Sequence, residues 1–238
     1  MKKIFTTVFI LLLLNFSFAR LIYVAQDASG NNDGSSWTDA YTNLQDALEA
    51  SSWSGNDTLW VKAGTYNPDR RAYGQPGQGN SRDWKFFCPK PVHIFGGFAG
   101  TESNLGQRDW QNNSTLLDGD IGTAGDPTDN VWEVIFLGNG PSTYLDGFTI
   151  QNGYGDSNSN RDGGGLKISG MSNVTLKNLI IKDNYVIGNG GGLHVSSISL
   201  GEFSNIYAFD NEALGDGGGY YLQSLSSLTL SNLFAYNN

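Results

Sequence analysis

Cysteine is almost absent: Cys88 is the only one in 238 residues. The chain can close no internal disulfide and offers no cysteine zinc cluster. Histidine is nearly as scarce. His93 and His194 stand alone, with no Ser or Cys partner in a recognisable motif, and two lone histidines do not make a metal site. Charge is low, with Asp, Glu, Lys and Arg together 16% of residues, which argues against coiled coils and long-helix architectures. Basic residues are the scarcer kind, 14 against 23 acids, for a net charge of −9. That balance opposes partners such as nucleic acid or an anionic membrane, both of which need basic patches. It permits cations and neutral sugars. After the first 14 residues there is no apolar run long enough to span a membrane.

Glycine and asparagine are abundant, at 32 and 24 positions, while proline occurs at only 6. Gly and Asn are poor helix formers, so a helix-rich fold is disfavoured. Aromatics at 13% and apolar residues at 39% supply a packed core, which disordered chains lack. A turn-rich all-β fold remains.

Residues 1–19 read as a secretory signal peptide. Lys2 and Lys3 form a positive start, Ile4 to Leu14 is apolar apart from Thr6 and Thr7, and Ser17-Phe18-Ala19 places small residues for cleavage after Ala19. The run is shorter than the ~20 residues of a membrane-spanning helix. The expectation is an exported protein, extracellular or at the cell surface or outer membrane, with no membrane span in the mature chain. The Asn-x-Ser/Thr triplets at Asn56, Asn113 and Asn173 matter only in a glycosylating host.

The later half repeats. Gly163-Gly164-Gly165 recurs at Gly190-Gly191-Gly192 and Gly217-Gly218-Gly219, each step being 27 residues. Asn178, Asn205 and Asn232 keep the same step, as do Leu179, Ile206 and Leu233, and Asn184, Asn211 and Asn238. Within each unit apolar residues alternate: Leu166/Ile168, Leu193/Val195, Tyr220/Leu222, then Val174/Leu176 and Leu179/Ile181. Period-2 alternation over a few residues means short strands with one face buried. Three such strands per 27 residues describe one coil of a parallel β-helix, whose coils stack about 4.8 Å apart. A β-propeller blade needs ~40 to 45 residues. The fold expected is a right-handed parallel β-helix, a solenoid. Leu166, Leu193 and Tyr220 should form one inward row, and Leu179, Ile206 and Leu233 another. Repeated Gly supplies positive φ, and repeated Asn can bond the coils above and below.

Four stretches follow. After the signal peptide, residues 20–66 hold strands at Leu21–Val24 and Thr58–Val61, with an amphipathic helix over Thr42–Ser51 placed to cap the open end of the stack. Residues 67–130 read as loop-rich early coils, with 67–91 a long loop, and 131–238 as regular coils. The sequence stops at Asn238, the position of Asn184 and Asn211 and just before the next glycine triplet is due, so a longer protein with further coils is expected.

Several motifs carry a resemblance. Gly34-Ser35-Ser36-Trp37, Val61-Lys62-Ala63-Gly64-Thr65-Tyr66, Ile94-Phe95-Gly96-Gly97-Phe98 and Thr115-Leu116-Leu117-Asp118-Gly119-Asp120 resemble secreted parallel β-helix proteins of the pectate-lyase-like fold. Leu145-Asp146-Gly147-Phe148-Thr149-Ile150 and the Gly-Gly-Gly-Leu units are similar to polymorphic outer-membrane-protein repeats, although Ala208 and Ala235 replace the large residue of their Phe-x-x-Asn partner motif. The resemblance implies the β-helix fold. That fold hosts lyases, hydrolases, adhesins and surface proteins alike, so it does not choose an activity.

Candidate chemistry is thin. Asp118 and Asp120 lie two apart at a strand end, with Asp126 and Asp129 in the next loop. A solvated acidic turn, a Ca²⁺ site and a catalytic carboxylate pair are the alternatives. Asp162, Asn189 and Asp216, and Asp183, Asp210 and Asn237, form further turn rows. The Asn-Thr-Asp-Gly and Gly-Asp-Asp patterns of β-helix polygalacturonases are missing, and the repeats show no acids joined by Arg or Lys on one outer sheet. Arg161, in a loop, is the only arginine there. Cys88, between aromatics and a proline, is expected buried rather than reactive. One feature favours binding. If Leu179 and Ile181 point inward, Ile180, Tyr207 and Phe234 form an apolar outward ladder, with Thr149 one coil above, suited to a glycan or a surface protein. The functional expectation is an exported binding or structural protein of adhesin-like role. The alternative is a carbohydrate-active enzyme, a polysaccharide lyase or glycoside hydrolase.

Overall fold

The computed structural model describes residues 19–52, 56–88, 90–138, 140, 142–156 and 162–238. The expected signal peptide, apart from Ala19, and Arg161 lie outside these residues. The chain winds into a parallel β-helix of about six turns with one helix near its start.

The first coils hold β1 (Leu21–Val24), α1 (Leu44–Ala50), β2 (Asp57–Lys62), β3 (Gly64–Tyr66), β4 (Phe86–Cys88), β5 (Val92–Phe98) and β6 (Thr115–Asp118). The later coils hold β7 (Ile135–Gly138), β8 (Ser142–Gln151), β9 (Tyr154–Gly155), β10 (Leu166–Lys182), β11 (Tyr185–Val186), β12 (Leu193–Phe209), β13 (Glu212–Ala213), β14 (Tyr220–Leu225) and β15 (Leu228–Tyr236). The main path of neighbours runs β1-β2-β5-β8-β10-β12-β14, all parallel, and β9, β11 and β13 form a narrow sheet of their own.

Helix α1 starts where Asn43 caps it, its side chain accepting from the backbone N–H of Gln45 and Asp46. Leu44, Ala47 and Leu48 are buried in the same core as Ile22 and Val24 of β1. The stretch 67–91 is not one loop. Phe86, Phe87 and Cys88 pair with Ile135, Phe136 and Leu137 as a strand. Three residues with no repeat partner at a fixed spacing give no periodic signal, so this strand is hidden in the sequence.

The repeat rows hold. Leu166 pairs with Leu193, and Leu193 with Tyr220; Leu179 pairs with Ile206, and Ile206 with Leu233. Leu166, Leu193, Leu179 and Ile206 have no exposed surface. Each 17-residue strand of these coils is bent rather than straight. The bend falls on asparagine in the left-handed region, Asn178, Asn205 and Asn232 at φ +51°, +54° and +53°. A second corner uses Asp183, Asp210 and Asn237 at φ +54°, +54° and +52°. Asn tolerates this region better than most residues because its short amide bonds locally. Here the amides bond along the stack: Asn205 Nδ2 donates to Asn178 Oδ1 at 3.1 Å and Asn232 Nδ2 to Asn205 Oδ1 at 3.0 Å. A buried ladder runs beside it, with Asn184 Nδ2 donating to Asn211 Oδ1 and Asn211 Nδ2 to Asn238 Oδ1, both at 2.9 Å.

Candidate functional site

Leu179 and Ile181 point into the core, so alternation turns Ile180 outward on the third strand segment of its coil. Leu116, Thr149, Ile180, Tyr207 and Phe234 occupy one row down this face. Among the described residues no loop covers its lower end: Tyr207 is 38% exposed and Phe234 48%. Their rings stack at 5.0 Å with planes 10° apart. A second outward row, two residues on, reads Asp118, Gln151, Lys182, Phe209 and Tyr236. Phe209 and Tyr236 stack at 5.0 Å and 8°. This pair escapes sequence reading because Lys182 interrupts its row; the 27-residue step from Phe209 to Tyr236 was the signal available.

The upper end of the face is a groove of about 310 Å³. Trp110, Gln111 and Ser114 wall it, Thr149 and Ile180 line it, and Tyr207 closes it. Trp110 comes from the segment between β5 and β6, held by the Asp109 N–H donating to the Gly97 carbonyl at 3.1 Å. The corner beneath it is glycine, Gly97 at φ +91° and Gly147 at φ +82°. A side chain on either would be strained, and a Cβ on Gly147 would stand 3.0 Å from that of Trp110. The two glycines therefore set how closely Trp110 lies on the solenoid. None of the lining side chains is a carboxylate, imidazole, thiol or amine.

The acidic loop does not form one ligand sphere. Asp118 is buried, its Oδ1 accepting from Asp120 N–H at 3.0 Å and Asn152 Nδ2 at 2.8 Å, its Oδ2 from Gln151 Nε2 at 2.7 Å. Asp120 accepts from Gly125 N–H, Asp126 from Thr128, and Asp129 from Thr123 N–H. Asp118 ties its strand end to the next coil, while Asp120, Asp126 and Asp129 each close a turn of their own loop. Among the described residues no three His, Cys, Asp or Glu converge as metal ligands. The turn rows are stitched likewise: Asn189 N–H donates to Asp162, and Asp216 N–H to Asn189, both at 2.8 Å. Asp183 pairs with Lys182 at 2.8 Å.

The outer face of the second strand segment corrects the sequence reading that no acids and bases share a sheet. Tyr144, Asp146, Lys177 and Glu202 all sit there. Arg108, from the loop that also bears Trp110, pairs with Asp146 at 2.9 Å, and Lys177 pairs with Glu202 at 2.9 Å. Arg108 lies outside the repeats, so spacing could not place it. Asp146 is buried and also accepts from Asn178 Nδ2 at 2.8 Å; Arg108 further donates to the Gly96 carbonyl and packs over Phe95. The cluster staples a loop to the sheet.

His194 faces outward between Lys167 and Tyr221 in register, yet only 2% of it is exposed. Its ring stacks on Tyr221 at 5.2 Å, neither nitrogen makes a hydrogen bond, and burial pushes its pKa down, opposed by Asp162 at 3.8 Å. His93 is half-buried against Tyr144, and burial lowers its pKa also. Cys88 is buried, and burial pushes its thiol up to about 12.

Compared with protein-family models, with curated proteins and with solved structures, the chain matches none.

Proposed function

We propose that this β-helix is an exported binding protein whose third outer face holds a neutral glycan. The observation that carries the reading is the continuity of the Trp110 groove with the Tyr207 and Phe234 rings on one rigid face. Sugar rings present C–H faces to aromatic carbon and hydroxyls to neighbouring polar groups, and Gln111, Ser114 and Thr149 stand beside Trp110 to meet them. The stacked rings turn their edges outward, so Trp110 is the principal platform, and the Tyr207–Phe234 ladder extends it down the solenoid. The lining holds no carboxylate, imidazole, thiol or amine to activate the Ser114, Thr149 or Tyr207 hydroxyl, which supports binding over cleavage. The resemblance of the glycine-triplet units to polymorphic outer-membrane-protein repeats, and of the earlier coils to secreted β-helix proteins, favours a place at the cell surface, in an adhesin-like role. No helix among the described residues is long and apolar enough to cross a membrane.

A glycan array probed with the exported chain tests this. Binding should fall about tenfold or more in Trp110→Ala and in Tyr207→Ala, the loss expected of an aromatic anchor. Thr229→Ala, on the second face, should bind as the parent does. Equal binding by all three variants, or no binding to any neutral glycan, contradicts the proposal.

A further inference from the structure

Asp57 opens β2, and its side chain has no exposed surface. Arg20 meets it twice. The backbone nitrogen of Arg20 donates to Oδ1 at 2.8 Å, and its guanidinium donates to Oδ2 through Nε at 3.2 Å and Nη2 at 2.8 Å. Ser52 N–H donates to the same Oδ2 at 2.8 Å, and Arg20 Nη2 also reaches the carbonyl of Ala50 at the end of α1. Burial raises the Asp57 pKa, and the hydrogen bonds from Arg20 and Ser52 outweigh it and hold the carboxyl below its ordinary range. One buried carboxylate thus joins β1, the end of α1 and the start of β2. Ala19 and Arg20 themselves are exposed.

We infer that this carboxylate is a receptor for a new amino terminus: cleavage between Ala19 and Arg20 leaves an α-ammonium that pairs with Asp57 and locks the first coil. The inference rests on the export reading. Hydrolysis by a leader peptidase adds one water across the bond. The carbonyl carbon of Ala19 gains the oxygen and leaves as a carboxylate, and the Arg20 nitrogen gains the protons and becomes an ammonium. That nitrogen already lies at hydrogen-bond distance from Oδ1, so no rearrangement is needed; a neutral donor becomes a charged one against a buried charge, which strengthens the bond. Before cleavage the same carboxylate meets the amide N–H groups of Arg20 and Ser52 and the half-exposed guanidinium.

The pH dependence has a defined sign. A free α-amine titrates near ~7.7 to 8.0, and a carboxylate beside it favours the charged form. The stabilisation is therefore complete below that range and is lost as pH rises through the higher value of the folded state. The other charges around Asp57 are the Arg20 guanidinium and the Lys90 ammonium, with Glu49 near Lys90.

The full chain, expressed in a secreting host and recovered from outside the cytoplasm, is the material for the test. Its amino terminus is read by sequencing and mass, and its unfolding midpoint is followed from pH 6 to 10, before and after selective acetylation of the α-amine near neutral pH. The inference expects Arg20 as first residue, a midpoint that falls as the α-amine titrates, and loss of that fall on acetylation. Asp57→Asn should flatten the same profile; acetylation keeps the question answerable if that variant does not fold. A chain found only in the cytoplasm with its leader retained overturns both the export reading and the inference. Cleavage at another bond, or an Arg20 terminus whose profile acetylation leaves unchanged, overturns the inference and leaves export standing.

Discussion

Tyr207 lies directly over Phe234 across one coil of the solenoid, ring centroids 5.0 Å apart and planes within 10° of parallel. The register of β12 and β15 imposes the alignment, because Tyr207 and Phe234 are partners in a bent but unshifted parallel pairing. Such a pair contributes about 0.5 to 1.5 kcal/mol beyond area burial. A double-mutant cycle with Tyr207→Ala and Phe234→Ala, read by urea unfolding, should return a coupling of about that size. Additive effects would show that the stack is geometric only.

Asn211 is a test of the buried ladder. Its amide donates to the carbonyls of Ile181 at 2.9 Å and Phe209 at 3.1 Å, and its oxygen accepts from Asn184 N and Nδ2. Asn211→Ala strands several buried partners at about 1 to 3 kcal/mol each, so a loss of about 3 kcal/mol or more is expected. Denaturant melts measure it. Thr149→Ala, on the outer face, should cost far less.

Asn205 separates backbone from side chain. At φ +54° it is left-handed, and its Nδ2 bonds Asn178. Asn205→Gly keeps the corner and loses the amide, for about 1 kcal/mol. Asn205→Val loses both and adds the left-handed penalty of about 1 to 2 kcal/mol. The order of their Tm values checks the assignment; reversal would sink it.

The legible part of this fold was the part with a constant step. From Leu176 to Phe203 the coil takes 27 residues, and every inward row from there on was readable. Upward, the same row passes through Leu145, Ile94 and Leu59, so successive coils take 31, 51 and 35 residues. Those coils carry long excursions, and one excursion supplies both Arg108 and Trp110. The groove wall was therefore invisible: a residue on an insertion has no row to mark which strand it folds back upon. The Ile180, Tyr207 and Phe234 ladder was legible because alternation about Leu179 and Ile181 fixes its direction. The carboxylates of residues 118–129 looked like a cluster in sequence, but Asp118 turns to Gln151 and Asn152 of the next coil, and loop closure engages Asp120, Asp126 and Asp129 with local backbone N–H groups.

His194 gives a pH signature independent of the binding face. Asp162, Lys167 and Glu133 are the charged groups that act on it, and burial keeps its pKa below the ordinary value of about 6.5. The unfolded chain therefore binds the proton first. Stability is complete above that ordinary value and declines as pH falls toward the folded-state value. Urea midpoints between pH 8 and 5 should drop in the parent and drop less in His194→Phe. Parallel curves would remove His194 from the account.

Titration of the isotope-labelled chain with neutral oligosaccharides, followed by NMR, tests the central claim most directly. The Trp110 indole N–H, assigned by its loss in Trp110→Phe, and the ring signals of Tyr207 should shift together and saturate with one Kd, while the Trp60 indole stays in place. Saturable binding that leaves Trp110 and Tyr207 unmoved, or no binding across the neutral oligosaccharides tried, would contradict a glycan site on this face.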